Sequence, residues 1–86
     1  MASDPGWFVY IVRCSDKTLY TGVATDVDAR IEQHNAGRGA KYTRGRRPVK
    51  LVYCEHADDR SAALRREIAI KRLTLDDKRK LIVQAD

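Results

Sequence analysis

Five side chains of this sequence carry groups that could do chemistry together: the phenols of Tyr10 and Tyr20, the guanidinium of Arg30, the imidazole of His34 and the carboxylate of Glu67. Phenol and imidazole can move protons, a guanidinium matches a phosphate or carboxylate with a planar fork of donors, and a carboxylate can hold a cation. Taken singly, each has a plainer use. A tyrosine in a strand packs its ring and lets its hydroxyl reach water, and a lone histidine on a helix usually faces solvent. Only their placement by common elements gives them a joint role.

Residues 7 to 13 are apolar on both alternating sets, with Trp7, Val9 and Ile11 against Phe8, Tyr10 and Val12, so this stretch predicts a central strand. Residues 18 to 24 are rich in β-branched and aromatic types, and Ser15, Asp16 and Lys17 between the runs supply turn chemistry, so the two runs predict a hairpin. Tyr10 and Tyr20 share a face of it only if the loop holds an odd number of residues, and the three from Ser15 to Lys17 meet that condition. After Gly22 the period becomes helical. Thr25 is the expected N-cap with Asp28 three residues on, Val27 and Ile31 make an apolar stripe, and Gly37 and Gly39 end the helix. Arg30 and His34, spaced i and i+4, share a face beside that stripe.

A third strand is expected over Val49 to Cys54 and a helix over residues 60 to 73 after Asp58 and Asp59, with Leu64, Ile68 and flanking alanines as its apolar stripe. Glu67 then lies on or beside the buried face. A carboxylate there is costly unless it is paired, with Lys71 at i+4 or with Arg30, or binds a metal. Thr74 and Asp77 repeat the capping pattern before a last helix carrying Leu75, Leu81 and Ile82. The expected fold class is α+β, a three-stranded antiparallel sheet flanked by helices in the order β-β-α-β-α-α, forming a single domain over residues 1–86 with its core at about residues 7–82.

Between the first helix and the third strand, residues 37 to 50 carry Arg38, Lys41, Arg44, Arg46, Arg47 and Lys50 with no acid. Such density suits phosphate contacts, since each cation that neutralises a phosphate releases a counterion, and Tyr42 offers a ring for base stacking. These seven residues are the expected nucleic-acid contacts. No glycine there is followed by Lys and then Ser or Thr, which excludes a P-loop.

Composition agrees. The chain has 86 residues, 34% charged and 43% hydrophobic, with a net charge of +5, and that excess favours a polyanionic partner, most simply nucleic acid. No stretch approaches the length of a membrane helix, and Met1 to Gly6 lack the basic and then apolar pattern of a signal peptide, so a cytoplasmic location is expected. Cys14 and Cys54 stand 40 apart and are expected to be reduced. With His34 and His56 they could supply four zinc ligands, but no close pair has the usual zinc spacing.

Phe8-Val9-Tyr10, then Tyr20-Thr21-Gly22, then Arg30 with His34 one turn later, and a helical Glu67 within Leu64-Arg65-Arg66-Glu67, resemble the GIY-YIG nuclease family, in particular its small stand-alone bacterial branch. The likeness spans roughly residues 7 to 82. It departs at Phe8, Val9 and Thr21, where the name motif has glycine, isoleucine and isoleucine. The resemblance implies a metal-dependent endonuclease acting on DNA; so small a domain with one short basic loop has little surface for reading a long sequence, which favours branched, flapped or damaged DNA. Glu67 would hold a single Mg²⁺ or Mn²⁺ ion and Arg30 would clamp the scissile phosphate. Tyr10 would be the general base or hold the water, with Tyr20 hydrogen-bonded beside it and His34 sharing the base role. A nucleic-acid-binding module without cleavage is the alternative.

Overall fold

The computed structural model describes residues 6–84; Met1 to Pro5, most of the segment read above for a leader, lie outside them. The apolar run becomes β1 (Trp7–Arg13), and β2 (Leu19–Ala24) returns beside it as an antiparallel hairpin. Strand β3 (Lys50–Ala57) pairs antiparallel with the other side of β1, so the sheet order is β2-β1-β3 and the strand that is apolar on both faces is the central one. A bulge between Ile11 and Val12 leaves Val52 as the extra residue of β3. The hairpin loop runs from Cys14 to Thr18, longer than expected but still odd, and Lys17 takes a left-handed φ of 70° at its tip. Tyr10 therefore opposes Gly22 and Tyr20 opposes Val12, which puts both tyrosines on one face.

Helix α1 (Val27–Asn35) covers that face, with Val27 and Ile31 packed against a cluster of Tyr10, Val12, Cys14 and Val49. Its N-cap is Asp26 rather than Thr25, and the Asp26 carboxylate accepts from the Ala29 backbone N–H at 3.0 Å. An aspartate caps as well as a threonine and adds a charge that the helix N-terminus favours. Within the basic segment a short helix, α2 (Lys41–Arg44), adds one element to the expected order. Four residues are too few to show apolar periodicity, so the sequence holds no helical signal there.

Helices α3 (Arg60–Lys71) and α4 (Leu75–Gln84) pack on the other face against Val9 and Ile11. The buried face of α3 differs from the expected stripe. Ala63 and Ile70 are buried and Ile68 is 50% exposed, so the helix is rotated and Glu67 falls between the two buried positions at spacing i, i+4, i+7. The small Ala63 lets the helix approach the sheet closely, which a stripe read from side-chain size could not anticipate. In α4, Leu81 and Ile82 join the core as expected and Leu75 is half exposed.

Candidate active site

Tyr10 is the hub of the site. Its ring lies directly over Gly22, where an added Cβ would sit 2.5 Å from the Tyr10 hydroxyl and 2.7 Å from Cζ. The missing side chain is what lets the phenol cross β2 toward the outer edge of the sheet. There the hydroxyl meets His34 Nε2 at 2.8 Å, and Arg30 stands one turn earlier on the same helix, near enough to bear on the phenol's pKa. Helix α1 supplies both partners from positions one turn apart. Burial pushes the Tyr10 pKa up; hydrogen bonding with Arg30 opposes this, while the neighbouring Tyr20 and Glu67 add to it. Of the five residues singled out from the sequence, Tyr10 and His34 are joined by a hydrogen bond, and Arg30, Tyr20 and Glu67 bear on the phenol through its pKa.

Tyr20 packs beside the same histidine. Its ring centroid is 5.5 Å from that of His34, and the Lys71 ammonium stands 5.9 Å from its ring centre. Among the described residues no hydrogen bond reaches its hydroxyl, so the expected bond into the Tyr10 cluster is not made and the contact is ring to ring. Lys71 also pairs with Glu67 at 3.3 Å, the first of the two ion pairs expected for that carboxylate. Glu67 comes from the opposite face of the sheet to Arg30, and its partner Lys71 stands by the Tyr20 ring on β2, the edge strand.

His34 is fully buried, with Nε2 on Tyr10 and Nδ1 2.9 Å from the Thr43 hydroxyl. Burial, and after it the Arg30 charge, hold its pKa below the ordinary imidazole value, so it is neutral at pH 7. It cannot meet a water directly, and any share in base chemistry passes through Tyr10. Gly39 makes this arrangement possible, since a Cβ there would strike the His34 ring. Thr43 and Gly39, with Gly22 and Lys71, are site residues that reading from chemical type alone passed over or left in a plainer role. Their signal is spacing to other elements, which only the fold reveals.

The basic segment divides. Arg46 is engaged three ways: Nε donates to Asp16 at 2.9 Å, a terminal nitrogen donates to the Tyr42 carbonyl at 2.8 Å, and the guanidinium stacks 4.0 Å from the Tyr42 ring centre. Arg47 donates to the Arg44 and Asn35 carbonyls, closing the ends of α2 and α1. Asn35 holds the segment's exit with two bonds to the Val49 backbone, at 2.7 and 3.1 Å. The Tyr42 ring is stacked on Tyr20, at 5.8 Å and 21°, and also lies under the Arg46 guanidinium, so both contacts compete with base stacking there. Arg38, Lys41, Arg44 and Lys50 are exposed and, among the described residues, make no side-chain ion pair.

The GIY-YIG catalytic domain matches residues 6–80 of this chain. The chain belongs to the GIY-YIG family. Among relatives, a UPF0213 protein of Haloquadratum walsbyi is 61% identical over 74 residues, covering 86% of this chain and 83% of the relative. One from Staphylococcus aureus is 60% identical over 75 residues, covering 87% and 92%. Two solution NMR structures share the fold: a UPF0213 protein from Bacillus halodurans, with TM-score 0.60, 43% identity and coverage of 92% and 84%, and a protein from E. faecalis, with TM-score 0.65, 36% identity and coverage of 98% and 90%. In GIY-YIG terms, Tyr10 and Tyr20 are the motif tyrosines, and Gly22 is the final glycine whose absent side chain admits Tyr10. GIY-YIG proteins are a nuclease family that generally uses divalent metal ions. Among the described residues no group of three or more His, Cys, Asp or Glu side chains could hold a metal ion, so any ion that Glu67 holds would have that carboxylate as its one protein side-chain ligand of these types. One carboxylate beside an exposed, displaceable lysine fits an ion such as Mg²⁺, whose other ligands are waters and substrate phosphate oxygens. No helix among the described residues is long and apolar enough to cross a membrane.

Proposed function

We propose that this protein is a metal-dependent endonuclease that hydrolyses phosphodiester bonds in DNA, acting on branched, flapped or damaged rather than long specific sequences. The observation that carries the reading is the hydrogen bond between the Tyr10 hydroxyl and His34 Nε2, with Arg30 one turn away on the same helix and Tyr20 packed ring to ring on that histidine at the edge strand β2. The exposed cations Arg38, Lys41, Arg44 and Lys50 supply phosphate contacts without the surface needed to read many bases.

Burial divides the work between the phenols. Tyr10 is 1% exposed and its pKa is raised, so it makes a poor base; it holds His34 and Arg30 in place. Tyr20 is only part buried, and its hydroxyl orients the attacking water. Arg30 is anchored through one nitrogen to Gln33 at 2.9 Å and bears on Tyr10, and its fork of five donors leaves others to grip the scissile phosphate and stabilise charge in the transition state. Glu67, which now pairs with Lys71, would hold the divalent ion, Mg²⁺ or Mn²⁺. That ion, when bound, supplies Lewis acidity to the phosphate and the leaving oxygen.

Incubating nicked, flapped and single-stranded DNA, with RNA of the same sequence, tests this directly. The proposal expects products only with Mg²⁺ or Mn²⁺, and a loss of about 10²- to 10³-fold for Arg30→Ala, the scale of removing one transition-state donor. The alternative, a binding module without cleavage, draws on the Lys71 ammonium that occupies the Glu67 carboxylate. It predicts salt-dependent binding with no product at any ion concentration.

A further inference from the structure

The proton positions around His34 follow from chemistry at the ends of its hydrogen-bond chain. Thr43 is fully buried, and its hydroxyl makes two bonds: to the Ala40 carbonyl at 2.8 Å and to His34 Nδ1 at 2.9 Å. A carbonyl can only accept, so the single hydroxyl proton of Thr43 goes to Ala40. Toward His34, Thr43 can then only accept, which requires a proton on Nδ1. A neutral imidazole with its proton on Nδ1 has a lone pair on Nε2, so across the 2.8 Å contact the Tyr10 hydroxyl must donate. The other side of the Tyr10 oxygen is left to accept, and Arg30, whose side chain lowers the Tyr10 pKa, can only donate. The direction is thus forced from the Thr43 end, and the protons point the same way, from Tyr10 through His34 and Thr43 to the Ala40 carbonyl.

We infer that Thr43 is a positioning residue that fixes His34 as the Nδ1–H tautomer and, through Tyr10, turns a hydrogen-bond acceptor toward Arg30. This rests on the nuclease reading for its purpose, because Arg30 is the group assigned to the phosphate. It also gives the basic segment a second task. Thr43 lies between Lys41 and Arg44, so the backbone that carries the exposed cations also carries the residue that sets the imidazole. Gly39 permits the close approach, since a side chain there would occupy the position of the His34 ring. The groups facing His34 are Tyr10 from β1, Tyr20 from β2, Arg30 from its own helix and Thr43 from α2; none is a carboxylate that could hold the ring in another way.

Long-range proton–nitrogen correlation spectra of the full chain read the tautomer of each imidazole, with His34→Gln assigning the His34 signals apart from those of His56. In the unmodified protein His34 should show a protonated Nδ1 and an unprotonated Nε2. Thr43→Ser, which keeps the hydroxyl, should preserve that pattern. Thr43→Val, which keeps the shape and removes the acceptor, should shift the proton to Nε2 or give a mixture of tautomers, and should slow cleavage while leaving DNA affinity unchanged. Unmodified protein with the proton on Nε2 overturns the inference whether or not any variant folds, and so does Thr43→Val with an unaltered Nδ1–H pattern. A chain that shows the expected tautomers but never cuts DNA retains the positioning role and removes the nuclease reading, so the two failures are distinguishable.

Discussion

Gly22→Ala is the smallest change that should disturb the site from outside it. At most strand positions an added methyl is harmless, and where the backbone is compatible it stabilises by about 0.4–1 kcal/mol through the unfolded chain. At Gly22 the new Cβ would meet the Tyr10 hydroxyl at 2.5 Å and ring carbons at 2.7 and 3.1 Å, all under or near the closest approach that real side chains show. The ring cannot swing away freely, because Tyr10 is buried and its hydroxyl is bound to His34. Overpacking of this kind costs about 1–3 kcal/mol, and weakening the Tyr10–His34 bond adds about 0.5–1.5 kcal/mol. With the unfolded-state gain set against these, the net loss should be about 0.5–4 kcal/mol, or roughly 4–8 °C in Tm for each kcal/mol in a domain this size. Urea unfolding of Gly22→Ala, Tyr10→Leu and the double variant forms a cycle that isolates the clash. Because leucine lacks the colliding atoms, the double variant should be at least about 1 kcal/mol more stable than the sum of the single changes predicts. Additivity within about 0.5 kcal/mol, or an alanine that stabilises the parent, would refute the reasoning.

Acid should weaken the fold through His34: its pKa is lowered in the native state, the unfolded imidazole titrates near 6.5, and below that pH the unfolded chain binds more protons. Stability should therefore be full above about pH 7 and decline as pH falls from about 6.5 toward the native pKa, and a urea midpoint series should show this step in the parent and not in His34→Gln. Arg47→Ala should cost about 1–2 kcal/mol by freeing the Asn35 and Arg44 carbonyls, with little effect on the salt dependence of DNA binding. Lys41→Ala with Arg44→Ala should do the reverse, leaving stability nearly unchanged and reducing the slope of log affinity against log salt by about 2 in a titration by fluorescence anisotropy. Asn35→Ala should lose about 1–3 kcal/mol in urea unfolding, because the Val49 N–H and carbonyl lose their shared partner.

Most of the fold was legible because its signals are local. The two-faced apolar run made β1 central, odd loop parity put both tyrosines on one face, and Thr74 accepts from the Asp77 backbone as its spacing required. What escaped was set by contacts between distant elements. The rotation of α3 depends on how closely Ala63 approaches the sheet, so the stripe read from Leu64 and Ile68 was displaced and Glu67 proved more central than expected. The basic segment looked uniform by charge, yet Arg46 and Arg47 are tied to carbonyls and to Asp16, whose partners lie up to 30 residues away in the sequence. Thr43 carried no signal at all, since a buried hydroxyl becomes informative only when the nitrogen beside it is known.

The claim on which the account rests is that the β2 edge hydrolyses phosphodiesters with one ion held by Glu67. Single-turnover cleavage of a flapped duplex across a Mn²⁺ titration, comparing the parent with Glu67→Gln at matched urea stability, tests it most directly. The account predicts ion-dependent cleavage in the parent and loss of that dependence together with the rate in the variant. Equal ion-dependent cleavage by both proteins would contradict it.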